Sequence, residues 1–169
     1  PDIQIPVCKG DASSFQPGGE IYKSYDGDMK TMYHSNWNNR GANYFPITLT
    51  YEFEDADKID YLIYYPRQTG YNGHFKEVEI QYTTKENSNF SKFGEFDFKG
   101  SGSSRRITFP NGLINPTAIR FIVKSGAGDG QGFAACAQMQ FFCYAQQDKE
   151  FEIFKDPLLT QLRDDITQE

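Results

Sequence analysis

The chain has 169 residues and a net charge of -6, with 17 Lys and Arg against 23 Asp and Glu. That length suits one domain with some additional chain, and a core of that size stands without staples. The acidic balance argues against a phosphate-backbone partner, which needs a basic stripe, and no apolar run approaches the length that spans a membrane.

From the N-terminus, the chain opens at Pro1 with no signal peptide, as expected of a piece cut from something longer. Residues 3–8 read as a strand. A mixed stretch follows, DGDMKTMYHSNW at 26–37, which is neither a buried strand nor a helix face. Ile47, Leu49, Tyr51 and Phe53 then alternate with polar residues, the period of a half-buried strand. Residues 59–65 form another strand, and the turn-rich segment 67–73 leads to Val78, Ile80 and Tyr82, again alternating. Strands are expected at 93–98 and 106–109, separated by the turn residues of 99–104. Arg105-Arg106, the one basic doublet, reads as a solvated strand end. Ile119, Phe121 and Val123 alternate with charged neighbours, and Ile122, which breaks the pattern, is expected to be buried on both faces.

A glycine-rich loop, GAGDGQGF at 126–133, precedes the last strand at 134–144. On one continuous strand Cys136 and Cys143, seven apart, would face opposite sides and could not bridge; Cys8 adds no framework. Residues 146–169 change character: Asp156 caps, Pro157 suits a first helical position, and Leu158, Leu159 and Leu162 share one face. They are expected to be a linker and the start of a following domain, leaving 1–145 as the domain proper. High aromatic content (16%), 15 Gly and 8 Pro fit many short strands joined by turns. The fold class expected is all-β, an antiparallel β-sandwich or jelly roll.

The residues that bear chemistry sit in the loops. Catalysis finds little support: there are two histidines, His34 and His74, and no HExxH, GxSxG or P-loop pattern. Glu77 and Glu79 alternate with core positions, the ordinary place of solvated side chains. A zinc site lacks ligand spacing. Asp26, Asp28 and Thr31 offer hard oxygens around a Gly27 turn, which suits calcium; an Asp-Gly turn without an ion explains the same residues. An EF-hand is excluded by Lys30 at its third acidic position. Sugars are held by planar hydrogen-bonding groups and by aromatic faces displayed on loops of a rigid scaffold. His34 and Trp37 come from one loop, Arg67 and Asn72 from a second, and Phe133 from a third. Taken singly, His34 also reads as a satisfied strand histidine, Arg67 as an ion-pair partner, and Phe133 as a core residue.

The pattern DGDMKTMYHS, the segment IDYLIYYPRQTGYNGHFKEVEIQY and the terminal FAACAQMQFF resemble a discoidin, or coagulation factor 5/8 C-type, domain. Within that group they resemble a family 32 carbohydrate-binding module, over roughly residues 3–145. The resemblance implies a sandwich of the galactose-binding type with sugar contacts at His34, Trp37, Arg67, Asn72 and Phe133. It also implies a structural calcium held by Asp26, Asp28 and Thr31, and Gln138 stands where the family often has a ligating Glu. A neutral amide oxygen there should weaken the site. The implied function is non-catalytic recognition of terminal galactose or N-acetylgalactosamine on host glycans, by a monomer within a larger secreted or surface-attached bacterial chain. The alternative is a discoidin-type adhesion domain for protein or lipid, but lipid binders of this fold show apolar loop tips. The tail resembles the start of the enhancin-like metallopeptidase domain that follows such modules in mucin-degrading gut bacteria.

Overall fold

A computed structural model describes residues 1–145. Its strands are β1 (Ile3–Gln4), β2 (Lys9–Ala12), β3 (Tyr33–His34), β4 (Ile47–Glu52), β5 (Lys58–Tyr65), β6 (Glu77–Thr84), β7 (Ser91–Asp97), β8 (Arg105–Ile114), β9 (Pro116–Val123), β10 (Ala135–Cys136) and β11 (Gln138–Cys143). They form a four-stranded sheet in the order β1-β11-β5-β8, a five-stranded sheet in the order β2-β4-β9-β6-β7, and a short β10-β3 pair. Every pairing is antiparallel, giving the expected all-β sandwich.

Period-two patterning decides which face is buried. Ile47, Leu49 and Tyr51 of β4 point inward beside Ile119, Phe121 and Val123 of β9 and Val78 and Ile80 of β6. From the other sheet Leu62 and Tyr64, Met139 and Phe141, and Ile107 and Phe109 meet them. Phe141 packs against Phe53 with ring centroids 4.9 Å apart and against Tyr51 at 5.5 Å, joining the two sheets through aromatic contacts. A buried side chain of this kind contributes about 1.5–3 kcal/mol. Ile122 is half-buried on the outer face, so one-sided burial replaces the expected two-sided burial.

Two expected strands are shortened or divided, and two strands were not foreseen, β2 and the buried pair Tyr33–His34 of β3, which lies in the stretch 26–37 read as no buried strand. The strand expected over 3–8 ends at Gln4: Ile5 N–H still bonds to Phe141 in one sheet, but Cys8 N–H bonds to Glu52 in the other. Pro6, lacking an N–H, sits where the chain crosses. The strand expected over 134–144 breaks at Ala137, whose N–H donates to the Tyr65 carbonyl, so Cys136 and Cys143 lie on separate strands. All three cysteines are thiols. β2 was not foreseen: its KGDA sequence carries a glycine and no apolar alternation, and it is an edge strand placed by its pairing with β4.

β9 ends at Val123 beside the starts of β4 and β6, and β5 ends at Tyr65 beside the start of β11. The connections 35–46, 66–76 and 124–134 therefore emerge at one end of the sandwich. β1, by contrast, pairs near the far end of β11, where Ala145 N–H donates to Asp2 Oδ1 at 3.2 Å. Residues 146–169, and with them the expected linker and helix start, lie outside the described residues.

Candidate binding site

The site begins at β3, a strand of two residues that is bonded on both sides. His34 pairs with Ala135, its N–H donates to Gly19 O at 3.0 Å, and its carbonyl accepts Gln16 N–H at 2.8 Å. Ser35, fully buried, donates its N–H to Ala134 O at 2.8 Å and accepts Ala134 N–H on Oγ at 2.9 Å. The backbone under His34 is thus held from two directions. Its ring Nδ1 lies 2.7 Å from the Ser35 carbonyl. A carbonyl only accepts, so Nδ1 carries the proton and Nε2 is left as an acceptor. Burial, opposed by this hydrogen bond and aided by the Arg67 charge, holds the imidazole below its ordinary pKa.

Arg67 is curled onto its own loop, with Nε donating to Thr69 O at 2.6 Å and Nη1 to Asn72 O at 3.3 Å. No carboxylate pairs with it among the described residues, and burial lowers its pKa. Asn72 Oδ1 accepts Asp129 N–H at 3.3 Å, so the two amide protons of its Nδ2 remain for another acceptor. Gly128 makes this arrangement possible: at φ 133°, a Cβ there would lie 2.8 Å from Asn72 Oδ1 and 2.9 Å from Phe133 Cδ2. A side chain on Gly126 would in turn collide with the Phe133 carbonyl. The glycine-rich loop is therefore a close-packed support for two site residues.

The structure brings His34, Trp37, Arg67, Asn72 and Phe133 to one cavity of about 510 Å³ at the loop end of the sandwich. The two aromatics are unequal. Phe133 is only 5% exposed and packs against the His34 ring at 5.3 Å, so it offers a strip of the cavity floor. Trp37 is 60% exposed, stands perpendicular to the His34 ring at 6.4 Å, and offers an open face. Sequence reasoning missed Arg40, Gln16 and Met32, which also line the cavity with the turn Pro17-Gly18-Gly19. Gln16 Oε1 accepts Trp37 N–H at 2.9 Å and so fixes the entry to the Trp37 loop. None of the three carried a signal that sets it apart in the sequence.

The loop around Asp26 lies apart from this cavity's lining. Asp26 Oδ2 accepts the Thr31 hydroxyl at 2.5 Å, and Thr31 Oγ1 is 3.0 Å from Asp28 O and 3.3 Å from Lys23 O. Gln138, 1% exposed, reaches into the same ring. Its Oε1 accepts Gly27 N–H at 3.2 Å, which orients the amide. Its Nε2 then faces Asp26 Oδ1 at 2.7 Å, Lys23 O at 3.1 Å and Asp28 O at 3.3 Å. Asp28 Oδ1 is turned away to Lys30 N–H at 2.8 Å. The oxygens expected to gather calcium thus gather an N–H₂ donor, so in this arrangement the residues do not fit the ion that the resemblance implies. Among the described residues no three His, Cys, Asp or Glu side chains come together as a metal group.

The family profile of the F5/8 type C domain matches residues 9–139. The chain is 25% identical over 122 residues to an A type blood N-acetyl-alpha-D-galactosamine deacetylase of Flavonifractor plautii, covering 70% of this chain and 14% of that enzyme. It thus spans about a seventh of that relative's length. Among solved structures it resembles the family 32 module of Clostridium perfringens NanJ in complex with galactose, with a TM-score of 0.75 at 23% identity over 85% of this chain and 100% of that one. The C. perfringens module CpGH89CBM32-5, in complex with GalNAc-beta-1,3-galactose, matches with a TM-score of 0.72 at 26% identity over 83% of this chain and 100% of that one.

Proposed function

This chain belongs to the F5/8 type C domain family, and from that premise we propose that it is a non-catalytic carbohydrate-binding module for terminal galactose or N-acetylgalactosamine. The observation that carries the reading is the single cavity in which three loops present His34, Arg67, Asn72 and the open face of Trp37. Galactose differs from glucose in its axial O4. The His34 Nε2 lone pair accepts from that hydroxyl, Arg67 donates to its oxygen, and Asn72 Nδ2 donates to the neighbouring O3. The axial group also leaves one ring face as a continuous C–H patch, which suits the Trp37 indole. Glucose leaves these partners unpaired, at a cost of about 1–3 kcal/mol each. Among the described residues no carboxylate lines the cavity, so that lining offers no carboxylate pair to act on a glycosidic bond.

The sugars in the two structural relatives support the galactose class. An attached enzyme as cargo, an extracellular or surface location and a monomeric state belong to the same proposal. Residues 2 and 145 meet away from the cavity. A hexose has about twelve heavy atoms, and roughly 0.3 kcal/mol per atom gives about 4 kcal/mol, a Kd near millimolar. Retention on a glycan surface would then rest on several modules or repeated ligands. Calorimetry with galactose, N-acetylgalactosamine and glucose tests the reading, on the parent and on His34→Ala, Arg67→Ala, Trp37→Ala and Phe133→Ala. Galactose-type binding that is lost in His34→Ala and Arg67→Ala supports it. Equal binding of glucose, or unchanged galactose binding in every variant, overturns it.

A further inference from the structure

The charge of the cavity does not match the charge of the chain. A protein of net charge -6 lines this cavity, among the described residues, with two arginines and no acid. Arg67 is half-buried there and has only carbonyl partners. Arg40 approaches from the Trp37 loop. Its stem lies along Gly130, where a Cβ would come 2.9 Å from Arg40 Cδ and Nε, and no hydrogen bond or ion pair engages it among the described residues. The loop itself is zipped to its neighbour by Gly41 N–H to Gly132 O at 3.4 Å and Ala42 N–H to Gln131 Oε1 at 3.3 Å. Glu20 and Asp129 lie outside the lining and form no ion pair with either arginine; Glu20 accepts Gly18 N–H at 2.7 Å, and Asp129 accepts the Tyr71 hydroxyl at 2.7 Å. Two guanidinium groups line one cleft with no ion pair among the described residues, and a guanidinium fork matches the geometry of an oxyanion.

We infer that the cavity selects an anionic form of its sugar, a terminal galactose-type residue bearing a sulfate ester, with Arg40 as the specificity-determining contact for the sulfate and Arg67 shared between sulfate and ring. The inference rests on the galactose reading of the same site. A 6-sulfate leaves the O3 and O4 hydroxyls in place and carries its three terminal oxygens beyond C6; a C6 carboxylate also leaves them in place, so galacturonic acid is the competing anion in the test.

Calorimetry at 50 mM salt with galactose, galactose 3-sulfate, galactose 6-sulfate and galacturonic acid tests it. At least one sulfated sugar is expected to bind about tenfold more tightly than galactose, the increment of an added charge-assisted contact. That preference should shrink at 500 mM salt, because an exposed charge pair is screened. In Arg40→Ala the ratio of sulfated to neutral affinity should fall toward one, and Arg40→Lys should restore part of it. Galactose binding with no gain from either sulfate overturns the inference and leaves the galactose reading standing. Tightest binding of galacturonic acid overturns the choice of sulfate. A sulfate preference that survives Arg40→Ala overturns the role of Arg40. Failure of all four sugars to bind sinks the galactose reading together with the inference.

Discussion

At the residue scale, His34 couples site chemistry to stability. Its imidazole is buried, so the folded protein resists protonation there, and Arg67 adds to that resistance while the Ser35 hydrogen bond works against it. Its folded pKa is thus below the unfolded value, near 6.5. Above that value the ring is neutral in both states and its contribution to stability is complete. As pH falls below it the unfolded chain takes up the proton first, and stability declines until pH passes the folded pKa. Thermal melts between pH 7.5 and 5 should therefore show a larger loss of Tm for the parent than for His34→Gln. Equal losses would mean that His34 titrates normally. Trp37 and Phe133 illustrate the same scale in packing terms. Sequence treats them as equivalent aromatics, but burial leaves Trp37 the larger open face. Trp37→Ala should weaken galactose-type binding with little loss of Tm, and Phe133→Ala should lower Tm as well, because it removes packed core surface.

At the element scale, the loop around Asp26 is closed by the side chain of a distant strand. Gln138 donates to oxygens of residues 23, 26 and 28 and accepts from Gly27, so β11 ties the loop to the sandwich. Calcium titrated into chelator-treated protein is expected to leave Tm unchanged. Gln138→Glu replaces the donor by a carboxylate facing Asp26 across a 2.7 Å contact, and like charges at that distance repel. That variant should melt below the parent in chelator and regain Tm as millimolar calcium binds the folded loop. A parent Tm that rises with calcium would show instead that the amide turns its oxygen to an ion. The glycine-rich loop makes a parallel case. Gly128→Ala should reduce galactose-type affinity severalfold by displacing Asn72 and Phe133, and an unaltered affinity would show that the loop shifts without cost.

At the scale of the whole molecule, the sandwich core and the loop-end site are separable. Phe141 is fully buried between the sheets and touches Tyr51, Phe53 and Phe121. Phe141→Ala should cost about 3–5 kcal/mol in a urea or guanidinium titration, through lost burial and a residual cavity. Its affinity for galactose, measured well below the melting transition, should match the parent, since none of its ring partners lines the cavity. A loss of binding at full folding would show that core packing and loop placement are coupled.

The sequence by itself determined the sheet character and the inward face of each long strand. Period-two alternation in β4, β6 and β9 is a local property that one-sided burial reads directly. It also marked His34, Trp37, Arg67 and Asn72, which the structure places in one cavity, because such residues clustered in turn-rich segments stand out against a core of Ile, Leu, Val, Phe and Tyr; Phe133 was marked only by its place at the end of the glycine-rich loop. Only the tertiary structure decided where β1 stops and where the last strand divides, since those boundaries follow from a crossing between sheets and from the Ala137 bond to Tyr65. It likewise decided that Gln138 meets Asp26 through its nitrogen, a choice set by Gly27 N–H 111 positions away in sequence. Arg40 is the plainest case. Its sequence neighbours make it one more polar loop residue, and only the approach of the 35–46, 66–76 and 124–134 connections brings it to the cavity that Arg67 also lines.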